Sequence, residues 1–449
     1  MTAAAMTPRQ RRGHLLKILG VTFGVAVAVG NVIGSGILRA PASIAGTIPD
    51  FTWIMALWVL GGLHAALGIN VIAELATAVP QSGGPYLYAH RAFGDVAGLI
   101  VGWSIYLSKL AGIAAASISF AEFLPLVWPE ASGFKTAVAI GVQLAFYGAT
   151  VLGLREGRAL QEGTSLIKVL MLLAFAGAAI AVAAPQEAAH AGSSVSLRFG
   201  WIAIIGAYAL IKGAYSGYEA PVYFTEENEQ PASSIPRALT LGLLTAAVIY
   251  IAVNAALLYA LGTTGTAATP LPFSTVLTRL GGTLPAILFA IGAMAAVMGV
   301  VNAGAMSAPR VIFALARDRL LPASFLSVNR GGTPDMATLM TAAASIALAA
   351  TGSFALVFGL IALMDTVGAV LVDASLFVLR RKEPDLPRPF RAIGYPLLPA
   401  IVLAVDLVLL VLFAGSDWVG LAFAAGLSLV CIPFAILARR ARFGETSTG

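Results

Sequence analysis

Two short strings carry the residue types that chemistry inside an apolar chain would need. The first is Gly30-Asn31-Val32-Ile33-Gly34-Ser35-Gly36, three glycines with a polar amide and a hydroxyl. The second is Ala214-Tyr215-Ser216-Gly217-Tyr218-Glu219-Ala220-Pro221. Both interrupt long apolar runs at similar depth and disfavour continuous helix. A helix restarting near Gly34 would present the amides of Ser35 and Gly36 and a partial positive charge, suited to a carboxylate. The preceding half-helix would end in free carbonyls near Asn31 and Val32, suited to an ammonium group. A site with these two poles reads the backbone of an α-amino acid. The bland alternative for the first string is close helix packing of the small-xxx-small kind.

Ionisable residues inside apolar runs cost roughly 2.5–3.5 kcal/mol each at mid-bilayer, so each needs a reason. Lys168 either serves the site or snorkels to a membrane surface. Glu219 has three readings: counter-charge for a cationic substrate, acceptor of a coupling proton, or hydrogen-bond partner of unwound backbone. Lys109 and Lys212 either face polar interior or pair with acidic neighbours such as Glu122 or Glu219, and the sequence fixes no partner for either. Asp365, Asp373 and Asp406 read as packing or capping residues, and His64 as a satisfied interior histidine.

The elements that must hold these residues follow from composition. Of 449 residues, 59% are hydrophobic and 11% charged, against roughly 25% charged in a soluble domain. Lipid is therefore the expected solvent, and the sequence predicts an all-α membrane protein with twelve spans. They lie near 19–46, 51–79, 96–127, 135–153, 161–184, 200–227, 237–262, 284–316, 336–351, 354–379, 394–414 and 417–438. Two interrupted spans in corresponding positions of two halves point to a transporter site at the midplane. Lys and Arg gather on one set of loops, from Arg9, Arg11, Arg12 and Lys17 through Arg155, Arg158, Arg310 and Arg330 to Arg380, Arg388 and Arg439. Only Lys135, Arg198 and Arg279 fall on the other set. This bias predicts cytoplasmic N- and C-termini in a cytoplasmic membrane.

Several functions are disfavoured. The net charge of +6 is spread between apolar spans rather than gathered on one face, so no nucleic-acid partner is expected. The lone Cys431 permits no intrachain disulfide and no Cys/His metal set. The start of the chain lacks the spacing of a cleavable signal, so the first helix is expected to remain. No nucleophile–base set and no phosphate-binding loop is present, so neither an enzyme nor ATP-driven transport is expected, and no cofactor or metal.

The ordered motifs resemble the amino acid, polyamine and organocation superfamily of secondary transporters, nearest to L-type and bacterial amino-acid transporters. The first string looks like that family's helix break. Glu74-Leu75 with Pro80, Ser82-Gly83-Gly84-Pro85-Tyr86 and Phe93-Gly94 resembles its second-helix signature. Gly217-Tyr218-Glu219 with Ile235-Pro236-Arg237 is similar to its sixth-helix block, Ala308-Pro309-Arg310 through Leu321-Pro322 to the eighth-helix end, and Pro384 to Phe390 to the loop after helix ten. The resemblance implies a leucine-transporter-like 5+5 inverted repeat with broken helices 1 and 6. Its parts are a cytoplasmic segment 1–18, repeats 19–184 and 200–380, two further helices in 394–438 and a tail 439–449.

It further implies an amino-acid substrate bound by Asn31, Val32, Ser35, Gly36, Tyr215, Gly217 and Glu219. An ion-site role falls to Lys168 with Gly30, the lysine ammonium standing where related folds hold sodium. Sodium-independent alternating access, by exchange or proton coupling, is then expected. The chain departs from many relatives in carrying Gly213 where they place an aromatic gate, leaving Tyr215 or Tyr218 as candidate gates. Arg39 is open to anion attraction or structural pairing. No cysteine lies between Trp128 and Lys135, so no disulfide-linked heavy subunit is expected. The rival functions are a polyamine or organic-cation permease and a non-transporting receptor.

Overall fold

A computed structural model describes residues 20–81, 83–151, 157–182, 200–329, 333–416 and 418–436. The segment 1–18, the tail 439–449, Ser82, Arg155, Arg198 and Arg330 lie outside the described residues, as does the side chain of Arg158. Among the described residues the fold is helical throughout, apart from an isolated bridge between Val328 and Pro334.

The chain opens with α1 (Val21–Val32) and α2 (Ser35–Thr47), parted by Ile33 and Gly34, and continues through α3 (Phe51–Ala78), α4 (Tyr86–Phe93) and α5 (Asp95–Phe123). Next come α6 (Lys135–Val151), α7 (Gly157–Val182) and α8 (Trp201–Tyr215). After α8 the chain turns through residues 216–219 into a short 3₁₀ segment, Ala220–Glu227. The remainder is α9 (Pro231–Ala267), α10 (Pro272–Gly281), α11 (Thr283–Arg317), α12 (Asp335–Ala350), α13 (Phe354–Lys382), α14 (Leu397–Ser416) and α15 (Trp418–Leu429). Among the described residues, ten helical segments are long and apolar enough to cross a membrane, counting Val21–Thr47 as one. Helices α8 and α12 are too short to be among them, at 15 and 16 residues. The expected sixth span of 200–227 is thus a helix only to Tyr215.

Buried α5 forms the axis of the bundle, packed by α11, α13, α6 and α12. Small residues set the closest approaches. A Cβ on Gly24 would lie 2.6 Å from Ala238 Cβ, and one on Gly242 would lie 2.4 Å from Ala28 Cβ, so α1 and α9 touch nearly backbone to backbone. The small-residue packing reading therefore describes Gly24 and Ala28, while Ile33 and Gly34 leave the helical path.

One polar knot ties α3 to the end of α13 and the loop beyond it. Glu74 is fully buried. Its carboxylate accepts from Arg380 at 2.8 and 2.6 Å and from the Ala392 amide at 2.6 Å, with Arg388 Nε 3.3 Å away. Arg380 also lies over the Tyr395 ring, 3.7 Å from its centroid. Nearby, Arg91 of α4 grips Glu383 through two hydrogen bonds, which hold that carboxyl below its ordinary range. Sequence had marked Glu74 only as part of a motif; its partners lie more than 300 residues away. Removing the carboxylate strands buried guanidinium charge. Glu74→Ala is expected to lower stability by roughly 3 kcal/mol, read as a fall in thermal midpoint of the purified protein in detergent, whereas Arg91→Ala at the exposed pair should shift it little.

Candidate functional site

The interruption between α1 and α2 leaves the last carbonyls of α1 without a helical amide; side chains reach two of these, Gly30 O and Val32 O, and two more carbonyls inside α1. Ser165 Oγ donates to Ala26 O at 2.8 Å, Asn31 Nδ2 to Val27 O at 2.8 Å, and Lys168 Nζ to Gly30 O at 2.8 Å. The Tyr250 hydroxyl on α9 lies 2.6 Å from Val32 O and 2.9 Å from Ala214 O, and shares its one proton between the ends of α1 and α8. Tyr250 is a residue that sequence reasoning missed. Within an apolar helix it reads as core, and only the fold brings two broken ends to its hydroxyl.

The second interruption depends on glycine. Gly217 has φ +98°, a left-handed conformation that side chains avoid, and a Cβ there would stand 3.0 Å from Asn31 Cβ. The two interrupted segments thus lie against each other. Between them and α5, α11 and α13 is a cavity whose wall includes Asn31, Val32, Ser35, Gly36, Gly217 and Glu219. On one side α2 begins at Ser35 with no side chain capping its N-terminus, so its first amides and dipole face this space. Facing them are Lys109, Glu219 and Asp365. Lys109 lies within electrostatic reach of both carboxyls, and its ammonium sits 4.2 Å from the Tyr223 ring centroid. Ser108 and Ser216 donate to Asp365.

Several expectations need correction. Asp365 lies mid-way along α13 against the cavity, not in a capping role, because the position of α13 relative to the interrupted segments is a tertiary fact. Lys212, whose partner the sequence leaves open, pairs with Asp406 at 2.7 Å, and Glu122 pairs with Arg39 at 3.0 Å. Of the two readings of Lys168, snorkelling is excluded, since the side chain is buried with its ammonium on Gly30 O. Tyr215 does not border this cavity with its side chain. Its hydroxyl donates to Trp58 O at 3.1 Å, its ring packs on Trp58 and Tyr250, and it lines a second cavity together with Tyr218.

The aromatic next to Gly213 comes from another helix. A Cβ on Gly213 would meet Phe358 Cε1 at 2.9 Å, and one on Gly36 would meet Phe358 Cζ at 3.0 Å. Phe358 of α13 therefore covers both glycine backbones. It stacks on Phe354 at 4.9 Å, and Arg39 lies over Phe354 at 5.1 Å while donating to Pro270 O at 3.2 Å. Arg39, one turn beyond Gly36, is thereby fixed by Glu122, Pro270 and Phe354.

A polar cavity enclosed by interrupted helices in a multi-pass membrane protein is the architecture of a transporter. The chain belongs to the amino acid permease family, whose model matches residues 19–432. It is 27% identical over 425 residues to the branched-chain amino acid permease BcaP of Bacillus subtilis, covering 90% of this chain and 89% of that protein. It is 26% identical over 432 residues to the serine/threonine exchanger SteT of the same organism, with coverage of 93% and 94%. Similarity extends to the mouse large neutral amino acids transporter small subunit 2, 25% identical over 397 residues, with coverage of 84% and 73%.

The cavity wall makes two substitutions decisive. At Gly36 a Cβ would stand 2.8 Å from the Ala214 Cα, which is backbone and cannot yield cheaply; Gly36→Val is expected to abolish ligand binding, measured by scintillation proximity on purified protein. Gly213→Phe should cost most of the binding by collision with Phe358, and Phe358→Gly in the same chain should recover it. Failure of the double variant to recover any binding would show that Phe358 does not fill the space beside Gly213.

Proposed function

We propose that the protein carries amino acids across the cytoplasmic membrane by alternating access without sodium. The observation that carries this reading is the cavity in which the uncapped start of α2, at Ser35 and Gly36, faces Glu219 and Asp365 across a distance closed by the two interrupted segments. The amides of Ser35 and Gly36 take the substrate carboxylate, and the substrate ammonium lies toward Val32, Gly217 and Glu219. Apolar Ile113, Val300 and Ile361 with Phe358 surround the substrate side chain. They suit a neutral amino acid, the class for which the branched-chain permease, the serine/threonine exchanger and the large neutral amino acids transporter are named.

The fold is read as two inverted repeats, 19–184 and 200–380, with helices 1 and 6 interrupted and the segment 394–438 outside them. Interruptions at residues 33–34 and 216–219 support this reading, as do twelve expected spans when α8 with its following turn and α12 are counted. Both termini are assigned to the cytoplasm on the distribution of Lys and Arg. Lys168 on Gly30 supports sodium independence, since a buried ammonium already supplies positive charge at the end of α1.

A second reading is a polyamine or organic-cation permease, favoured by one specific observation: two carboxyls, Glu219 and Asp365, face a single Lys109. Uptake into proteoliposomes separates the two. Labelled neutral amino acids are expected to enter equally with and without sodium, and decarboxylated amines should compete poorly, because they lack the group that α2 holds. Competition by the amines as strong as by the amino acids would favour the cation reading. Lys168→Ala should lower uptake roughly tenfold or more, the worth of a charge-assisted hydrogen bond of about 1.5–3 kcal/mol.

A further inference from the structure

Behind the turn 216–219 lies a second cavity that the two poles of an amino acid do not use. Its wall includes His64 of α3, Lys212 of α8, Tyr218 of the turn, Asp373 of α13 and Asp406 of α14. Ser216, Glu219 and Asp365 border both cavities, so the two spaces meet at this turn.

The groups in the second cavity form one connected set. Asp406 accepts from Lys212 at 2.7 Å and has His64 Nε2 3.4 Å away, while His64 Nδ1 and the Tyr208 hydroxyl are 2.9 Å apart. Asp373, 3% exposed, shares the cavity wall with Asp406, and its Oδ2 is buried with no partner among the described residues. An ionised carboxylate only accepts hydrogen bonds and no donor among these residues reaches this oxygen, so its burial favours a carboxyl that holds a proton. Charge across both cavities points the same way. Glu219, Asp365, Asp373 and Asp406 face Lys109, Lys212 and His64, so even a charged His64 leaves a negative charge to be neutralised in a low-dielectric interior. Among the described residues no group of three His, Cys, Asp or Glu is placed to hold a metal ion.

We propose that the second cavity is a proton site coupled to transport: a proton held at Asp373 passes by way of Tyr218 to the Glu219–Asp365 pair beside the substrate. This rests on the transport reading given above. Asp365 and Asp373 lie two turns apart on α13, about 12 Å along its axis, too far for direct transfer. Tyr218 stands on the turn between the cavities and lines the second one together with all four carboxyls. Its hydroxyl accepts one proton while donating another, so only O–H bonds form and break. Half-buried His64, with one ring nitrogen toward Asp406 and the other toward Tyr208, exchanges the proton with water. The other titratable group facing the cavity is Tyr215, whose hydroxyl is engaged by Trp58 O.

The test uses the full chain in proteoliposomes. An inward proton gradient is expected to stimulate amino-acid uptake several-fold. Asp373→Asn should reduce that stimulation to unity while counterflow under equal pH stays at the original rate, and Asp373→Glu should restore it. Stimulation of Asp373→Asn equal to that of the unaltered protein overturns the proposal. So does uptake by the unaltered protein that ignores the gradient, which leaves the amino-acid reading standing. If Asp373→Asn loses counterflow as well, His64→Gln decides, with slowed proton uptake expected and an unchanged rate overturning the relay. Difference infrared spectroscopy gives a readout independent of transport: the protonated-carboxyl absorption of the unaltered protein should lose one component in Asp373→Asn. Absorption unchanged by the substitution overturns the assignment even where no amino acid is carried.

Discussion

A chain that leaves the helical path inside a bilayer exposes carbonyls with no water to satisfy them, and each unmet group costs several kcal/mol. The structure answers this at Ile33–Gly34 with side chains from other helices rather than with its own backbone. Lys168 of α7 reaches Gly30 O and Tyr250 of α9 reaches Val32 O and Ala214 O, while Ser165, one turn before Lys168, adds a bond to Ala26 O inside α1. Everything around the cavity depends on these bonds. Without them α1 would gain by restoring its ladder through residues 33 and 34, and the uncapped start of α2 would disappear.

The position of Tyr250 explains why the two interruptions lie together. Its single hydroxyl spans the ends of α1 and α8, so neither half-helix can shift along its axis without stranding the other's carbonyl or the hydroxyl itself. Gly217 in its left-handed conformation lets the second segment close on Asn31, and Phe358 covers Gly36 and Gly213 from α13. Polar anchoring and steric contact thus act on the same few residues. Asn31 adds to this from within α1: its side chain is turned back to Val27 O, so that polar residue strengthens the helix end instead of pointing freely into the cavity.

Much of this was legible in the sequence for one physical reason: the bilayer imposes length and composition on each span, and glycine with polar residues in mid-span is conspicuous. The strings 30–36 and 214–221 marked the cavity, and Lys168 stood out as a charge in an apolar run. What was not legible depends on partners distant in the chain. Phe358 and Tyr250 have ordinary membrane-helix identities, and nothing local distinguishes them from core. Asp365 was read as a packing residue because its neighbourhood on α13 is apolar, while the groups that engage it come from α5 and the turn after α8. The partner of Lys212 could not be fixed, since Asp406 lies 194 residues away.

The charged residues of the interior divide by how they are balanced. Arg39 with Glu122 is matched, and Glu74 is over-supplied with partners, so each fastens elements that would otherwise meet only through apolar contact. The carboxyls around the turn 216–219 are under-supplied with cations. Fastening alone does not account for that imbalance, because a pair would suffice and further carboxyls add desolvation cost without adding attraction. Four acids around Lys109, Lys212 and His64 therefore leave charge that the side-chain cations do not balance. The imbalance sits at the segment common to both cavities, Ser216 to Glu219, where the backbone is already non-helical. Charge that must be supplied from outside is thus placed where the chain has least regular structure to resist rearrangement.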